Sequence, residues 1–227
     1  FRSGWNNTEG YRNVFIGSES GHENITGRYN VFLGNQTGFS NTTGNGNVII
    51  GATSGYNNTD GYYNVFLGNW CGASNTTGHE NVFLGNRSGW YNTEGYKNIF
   101  VGSYSGFMNE TGSNNIFFGD STGYTNTIAD NNIFIGNKSG FANINGSRNV
   151  LLGYQSGYSN QSGNNNVFLG NNSGFSNLSG YKNIFIGDST GYQSTSTAYN
   201  IFIGDKVGYS NTEGSANVII GATAGKN

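Results

Sequence analysis

Residues 81–97 read NVFLGNRSGWYNTEGYK, and residue 98 starts the phrase over with NIFVG. The Asn that opens it recurs as Asn13, Asn30, Asn47, Asn64, Asn81, Asn98, Asn115, Asn132, Asn149, Asn166, Asn183, Asn200 and Asn217, and no interval departs from 17 residues. A strict period of this length marks a solenoid, in which each unit is one coil that buries its apolar face only by stacking on its neighbours. Slots 1 to 17, counted from that Asn, give every residue a position in the unit. The repeat runs through all 227 residues without a composition shift. The reading is therefore one all-β domain, 1–227, a β-solenoid of about thirteen coils.

Glycine supports this reading by its placement. Of 39 glycines, all but Gly46 fall in slots 5, 9 and 15. Such regularity is punctuation, placed where the backbone needs positive φ or close approach, whereas a flexible linker would scatter its glycines. The formal net charge is −2 with 10% charged residues, so no basic face exists to neutralise phosphates and nucleic acid is not an expected partner. No apolar run approaches the roughly 20 residues of a membrane helix, and insertion of this segment in a bilayer is not expected. The single Cys71 excludes an internal disulfide framework. It stands in slot 8 among Ser, Thr, Val207 and Ala224, which reads as a small buried side chain.

Slot 2 is always Val or Ile, slot 3 mostly Phe, and slot 4 Leu, Ile, Val or Phe. That is a short β-strand between Asn and Gly. Successive strand residues point to opposite faces, so three consecutive apolar slots make both faces apolar. A second strand is expected at slots 8 to 10, where Ser or Thr, Gly and usually an aromatic follow one another, with slot 8 inward. The remaining slots carry the Asn, Ser, Thr and Gly chemistry of turns.

Stacking turns each slot into a column with a spacing of about 4.8 Å. The slot 1 asparagines, Asn13 through Asn217, become an Asn ladder, and slot 12 nearly another, from Asn7 through Asn211 with a break at Ser194. Side-chain amides in such columns link one coil to the next. If slots 2 and 4 fill the interior, slot 3 lines the outside with Phe15, Phe32, Phe66, Phe83, Phe100, Phe117, Phe134, Phe168, Phe185 and Phe202. This stripe, about 60 Å long, would be an interchain packing surface, because soluble monomers rarely expose such a patch. The reverse assignment, Phe inside and the aliphatic pair outside, leaves a larger apolar stripe still. Either way lateral partners are expected, and closed symmetry is the usual way to hide the stripe.

Units such as NVFIGSESG (13–21) and NVFLGNRSG (81–89) resemble the β-roll repeats of trimeric autotransporter adhesin heads, and glycine-rich repeats of bacterial surface fibres and phage tail fibres. The unit here is longer and more aromatic than the usual adhesin repeat. The resemblance implies a left-handed β-solenoid assembled as a parallel homotrimer, serving as a structural or adhesive shaft of an extracellular, cell-surface or virion tail fibre. The alternative it implies is a receptor- or glycan-binding head, with Trp70, Trp90, Tyr91 and Tyr104 stacking on sugars.

Other chemistries find little support. A retaining glycosidase needs two carboxyl groups about 5 Å apart, and only Asp188 and Asp205 share a slot on adjacent coils. His22 and His79 lie coils apart without metal-ligand spacing. No catalytic, metal or cofactor site is assigned. Threonines in slot 13 give way to Glu110, Ile144, Gln161 and Leu178, a poor template for ordering ice. Glycosylation sequons occur at Asn24, Asn41, Asn75, Asn109, Asn160 and Asn177 in slot 12 and at Asn35, Asn86, Asn137 and Asn171 in slot 6. Two departures, at 126–130 (NTIAD) and 194–199 (STSTAY), are expected to alter turns on an unbroken stack. The repeat begins and stops in mid-coil, with Lys226 where an aromatic belongs, so a window on a longer fibre is expected.

Overall fold

The computed structural model of the protein describes residues 1–225; Lys226, at its slot 10 position, lies outside them. The chain is an all-β parallel β-solenoid with one three-residue strand per 17-residue coil. It divides into two compact units, Phe1–Asn114 and Asn115–Asn227. The first holds β1 (Val14–Ile16), β2 (Val31–Leu33), β3 (Val48–Ile50), β4 (Val65–Leu67), β5 (Val82–Leu84) and β6 (Ile99–Val101). The second holds β7 (Ile116–Phe118), β8 (Ile133–Ile135), β9 (Val150–Leu152), β10 (Val167–Leu169), β11 (Ile184–Ile186), β12 (Ile201–Ile203) and β13 (Val218–Ile220). Within each unit neighbouring strands pair in parallel and in register, slot on slot.

The Phe column points inward, which corrects the expected interchain stripe. Phe32, Phe66, Phe83, Phe100, Phe117, Phe134, Phe168, Phe185 and Phe202 have no exposed surface in the single chain, and Phe15, in the first coil, is half-buried. The reason lies six residues downstream. A Cβ added to Gly38 would lie 2.6 Å from the Phe32 ring, and the same holds for Gly72 against Phe66. The slot 9 glycine removes a side chain so that the slot 3 ring can lie flat on its backbone. Along the stack the rings then meet one another, with centroids 4.9 Å apart for Phe66 and Phe83 and 4.8 Å for Phe168 and Phe185. Ile49 and Leu151 fill the same column where Phe is missing.

Among the described residues no second strand forms at slots 8 to 10. Slot 9 is left-handed (Gly21, φ 59°), and so is slot 7, whatever its residue: Glu19, Thr53, Trp70 and Lys138 all have φ between 56° and 58°. Slot 17 behaves likewise, with Tyr29 at 59° and Arg148 at 59°. A left-handed residue turns its peptide N–H to the other side of the coil. Thus Gln36 and Tyr29 donate back to the preceding coil, at Ser18 O and Tyr11 O, while Val14 and Gly21 donate forward to Asn30 O and Thr37 O. Backbone groups in the turns are satisfied between coils, and that satisfaction holds an ordinary side chain in a conformation costing about 1–2 kcal/mol.

Slot 8 faces inward as expected. Ser20 Oγ donates to Phe32 O at 3.0 Å and Ser156 Oγ to Phe168 O at 3.1 Å. Both Asn columns are ladders, of different construction. In slot 1 the side-chain oxygen accepts the next Asn's backbone N–H (Asn30 N to Asn13 Oδ1, 2.9 Å), and Nδ2 closes its own coil on the slot 15 carbonyl (Asn30 to Gly44 O, 2.7 Å). In slot 12 the bond runs amide to amide, 2.6 Å from Asn41 Nδ2 to Asn24 Oδ1 and 2.7 Å from Asn143 to Asn126.

The two departures leave the stack intact, with β7 to β8 and β11 to β12 in register across them. At the second, Ser194 supplies no amide and Thr197 brings a side chain into slot 15. Asn177 Oδ1 and Thr197 Oγ1 are left buried without a hydrogen-bond partner, each a loss of about 1–3 kcal/mol. The double substitution Ser194→Asn with Thr197→Gly is expected to restore the ladder and stabilise the protein by about 1–3 kcal/mol. Either single change should gain less, as read from chemical denaturation of the four variants of the cycle. Phe168→Ala should cost about 3–5 kcal/mol. Phe168→Leu should cost far less, because Leu151 already occupies this column one coil away.

Candidate functional site

With slot 3 inside, the side chains of slots 2 and 4 both stand on the outer face of the strand. In none of the thirteen strands is either of them buried. Each strand therefore presents two aliphatic side chains, or an aliphatic and Phe118, to the outside. Phe118 is 55% exposed. The face is flat in sequence terms, Val or Ile in one column and Leu, Ile, Val or Phe in the other, and carries no charge. A parallel sheet ordinarily has both faces covered, so this outer face is the molecule's candidate interaction surface.

The slot 10 aromatics make a second column, half-buried. In the second unit Tyr124, Phe141, Tyr158, Phe175, Tyr192 and Tyr209 stack ring on ring, 4.9–5.1 Å between centroids and 3–14° between planes. In the first, His22, Phe39 and Tyr56 stack likewise. Where slot 10 is Ala73, Trp70 reaches across from slot 7 and stacks on Trp90 at 4.9 Å and 2°. Arg87 lies over Trp90 at 4.8 Å and donates to Tyr104 OH at 3.1 Å, and Tyr91 meets Phe107 edge to face. The four aromatics singled out for sugar stacking thus come together in one cluster. Trp90 gives one ring face to Trp70, while Trp70 and Tyr91 remain partly exposed.

Asp188 and Asp205 are exposed on adjacent corners, Asp188 accepting from Ser189 Oγ at 3.1 Å and Asp205 lying 3.9 Å from Lys206 Nζ. His22 bonds Glu23 at 2.7 Å, and His79 is stacked between Tyr62 and Tyr96. Among the described residues no three His, Cys, Asp or Glu side chains gather as a metal site, and no helix is long and apolar enough to cross a membrane. The slot 12 sequon asparagines are buried in the ladder, while Asn35, Asn86, Asn137 and Asn171 in slot 6 are exposed.

Cys71 is buried, and its Sγ donates to Phe83 O at 3.2 Å, the bond that serine makes in other coils. Burial pushes its thiol far above the usual range. Native protein at pH 8 should therefore leave Cys71 unmodified by a water-soluble disulfide reagent, with full reaction only in denaturant. Cys71→Ser should change stability by less than about 1 kcal/mol, since the hydroxyl can make the same bond.

No family model matches the chain, and neither a curated protein nor a solved structure matches it.

Proposed function

We propose that the chain is a structural or adhesive shaft segment of an extracellular fibre, self-associating side by side through the outer face of its strands. The observation that carries this reading is the uncharged aliphatic pair on the outside of every strand. Burying a half-exposed Val, Ile or Leu contributes about 1 kcal/mol. The twelve outer side chains of β1 to β6 alone then offer on the order of 10 kcal/mol, comparable with the 4–15 kcal/mol that association costs. The occupant proposed for this face is a second copy, because its columns repeat at one spacing and match only a partner built on the same period.

Closed rotational symmetry hides such a face without endless growth. Three parallel copies of a left-handed coil, the arrangement implied by the likeness to adhesin heads, are the assembly proposed. It is the aliphatic pair, not the Phe column, that meets the partner. The low charge and the absence of a basic face point away from nucleic acid.

Sedimentation equilibrium at micromolar concentration should give three times the 24.3 kDa of the chain. Val65→Lys together with Leu67→Lys, on the outer face of β4, should shift the mass toward that of one chain while leaving the circular-dichroism spectrum unchanged. A wild-type protein that stays monomeric and soluble refutes the assembly.

A further inference from the structure

Gly46 is the one glycine outside the three glycine slots, and its place shows why. It stands in slot 17 with φ 66°, a conformation that twelve other slot 17 residues adopt with a side chain attached. Backbone geometry therefore does not demand glycine here. What glycine allows is contact, because the Tyr63 ring lies where a Cβ would stand, 2.6 Å from that position. The missing side chain interrupts the slot 17 column and opens a cleft of about 510 Å³, lined by Tyr11, Arg28, Tyr29, Asn45, Gly46 and Tyr63. That volume falls within the roughly 300–1,000 Å³ of small-ligand sites. All six residues belong to the first unit.

The cleft combines the open ring of Tyr63 with unused donors, while guanidinium groups lie over the rings of Tyr11 and Tyr29. Tyr63 is 65% exposed, Tyr29 48% and Tyr11 46%, unlike the ring-on-ring slot 10 column. Arg28 Nη1 donates to Tyr11 OH at 2.8 Å, and Arg12 Nη1 donates to Tyr29 OH at 2.6 Å. These two bonds orient the guanidinium groups and leave most of their five N–H donors free. Among the described residues no carboxylate lies within 4.0 Å of either guanidinium. Asn45 Oδ1 is occupied by the Arg28 backbone N–H at 2.9 Å, which points the amide and leaves its Nδ2 donor without a described acceptor. Glu9 and Asp60 line an adjoining groove that shares Tyr11, Arg28 and Asn45 with the cleft, and there Asp60 accepts from Thr43 Oγ1 at 2.6 Å.

We propose that this cleft binds an acidic sugar of a polysaccharide, with its ring face on Tyr63 and its carboxylate on Arg28 and Asn45 Nδ2. A planar carboxylate matches the guanidinium fork, and a pyranose ring supplies the C–H face that an open tyrosine accepts. The site does not depend on the side-by-side assembly, which uses the outer strand face, and either proposal can fail alone.

The test is calorimetric titration of the chain with tetragalacturonate and, as a neutral counterpart of the same shape, its methyl ester. The acid should bind with a dissociation constant on the order of 1 mM or tighter, and the ester at least about tenfold more weakly. Arg28→Gln should reduce affinity for the acid about tenfold and leave the ester unaffected, while Tyr63→Ala should weaken both. Independently of any variant, amide resonances of Asn45 and Gly46 in the wild-type chain should shift on titration with the acid. Equal binding of acid and ester, an Arg28→Gln variant that binds like wild type, shifts confined to other coils, or no binding at about 10 mM would each overturn the proposal.

Discussion

The interior of most coils holds one aromatic ring, lying on a glycine that has no Cβ to push it away, with Ile49 and Leu151 taking its place in two others. The rest of the structure depends on that fit. A ring in slot 3 against a bare backbone in slot 9, as with Phe32 on Gly38 and Phe168 on Gly174, fills the space the coil encloses. Nothing else large can enter. The flanking aliphatic residues must therefore stand outside, and the other inward positions must be small or polar: Ser and Thr in slot 8, Asn in slots 1 and 12. The hydrophobic core is thus a column of slot 3 side chains, most of them stacked rings, and apart from small apolar residues such as Cys71 and Val207 the remaining interior is amide and hydroxyl.

An interior so polar is stable only if every buried group is paired. The repeat achieves this by making each buried Asn both close its own coil and bond to its neighbour. Because partners lie one period away, a substitution in one coil is felt in the next. Ser194 shows this directly: the atom left without a donor is Asn177 Oδ1, in the preceding coil. Cys71 and Val207 show the reverse, that slot 8 tolerates losing its hydroxyl. There the acceptor is a strand carbonyl, which retains other bonding within the ladder.

The surface divides by the same logic. Columns that stack face to face consume their ring faces, so the slot 10 aromatics stiffen the turns and present edges. Columns on the outer strand face have no such mutual cover and remain open to a partner. The Tyr63 side of Gly46 is a local exception, where one missing side chain leaves a cleft bordered by Tyr63 and by Arg28, whose guanidinium has no carboxylate within 4.0 Å among the described residues. Repetition makes broad interfaces, and a break in repetition makes a pocket.

The period, the strand in slots 2 to 4, the inward slot 8 and both Asn ladders were legible in the sequence. Identical residues 17 apart must become columns once a chain coils, and buried amides at one spacing must bond one another. The direction of the strand was not legible. Three apolar residues in a row satisfy either face, and the choice rests on contact between slot 3 and slot 9, which no periodicity displays. Nor could residue type reveal the left-handed slots 7 and 17, since Trp70, Lys138 and Tyr29 are held there by hydrogen bonds to neighbouring coils and not by any preference of their own. Gly46 stood out in the sequence only as an exception to a rule. That it opens a cleft, and that Arg28 and Tyr63 border it, follows from which side chains the stacking brings within reach, and that was decided by tertiary structure alone.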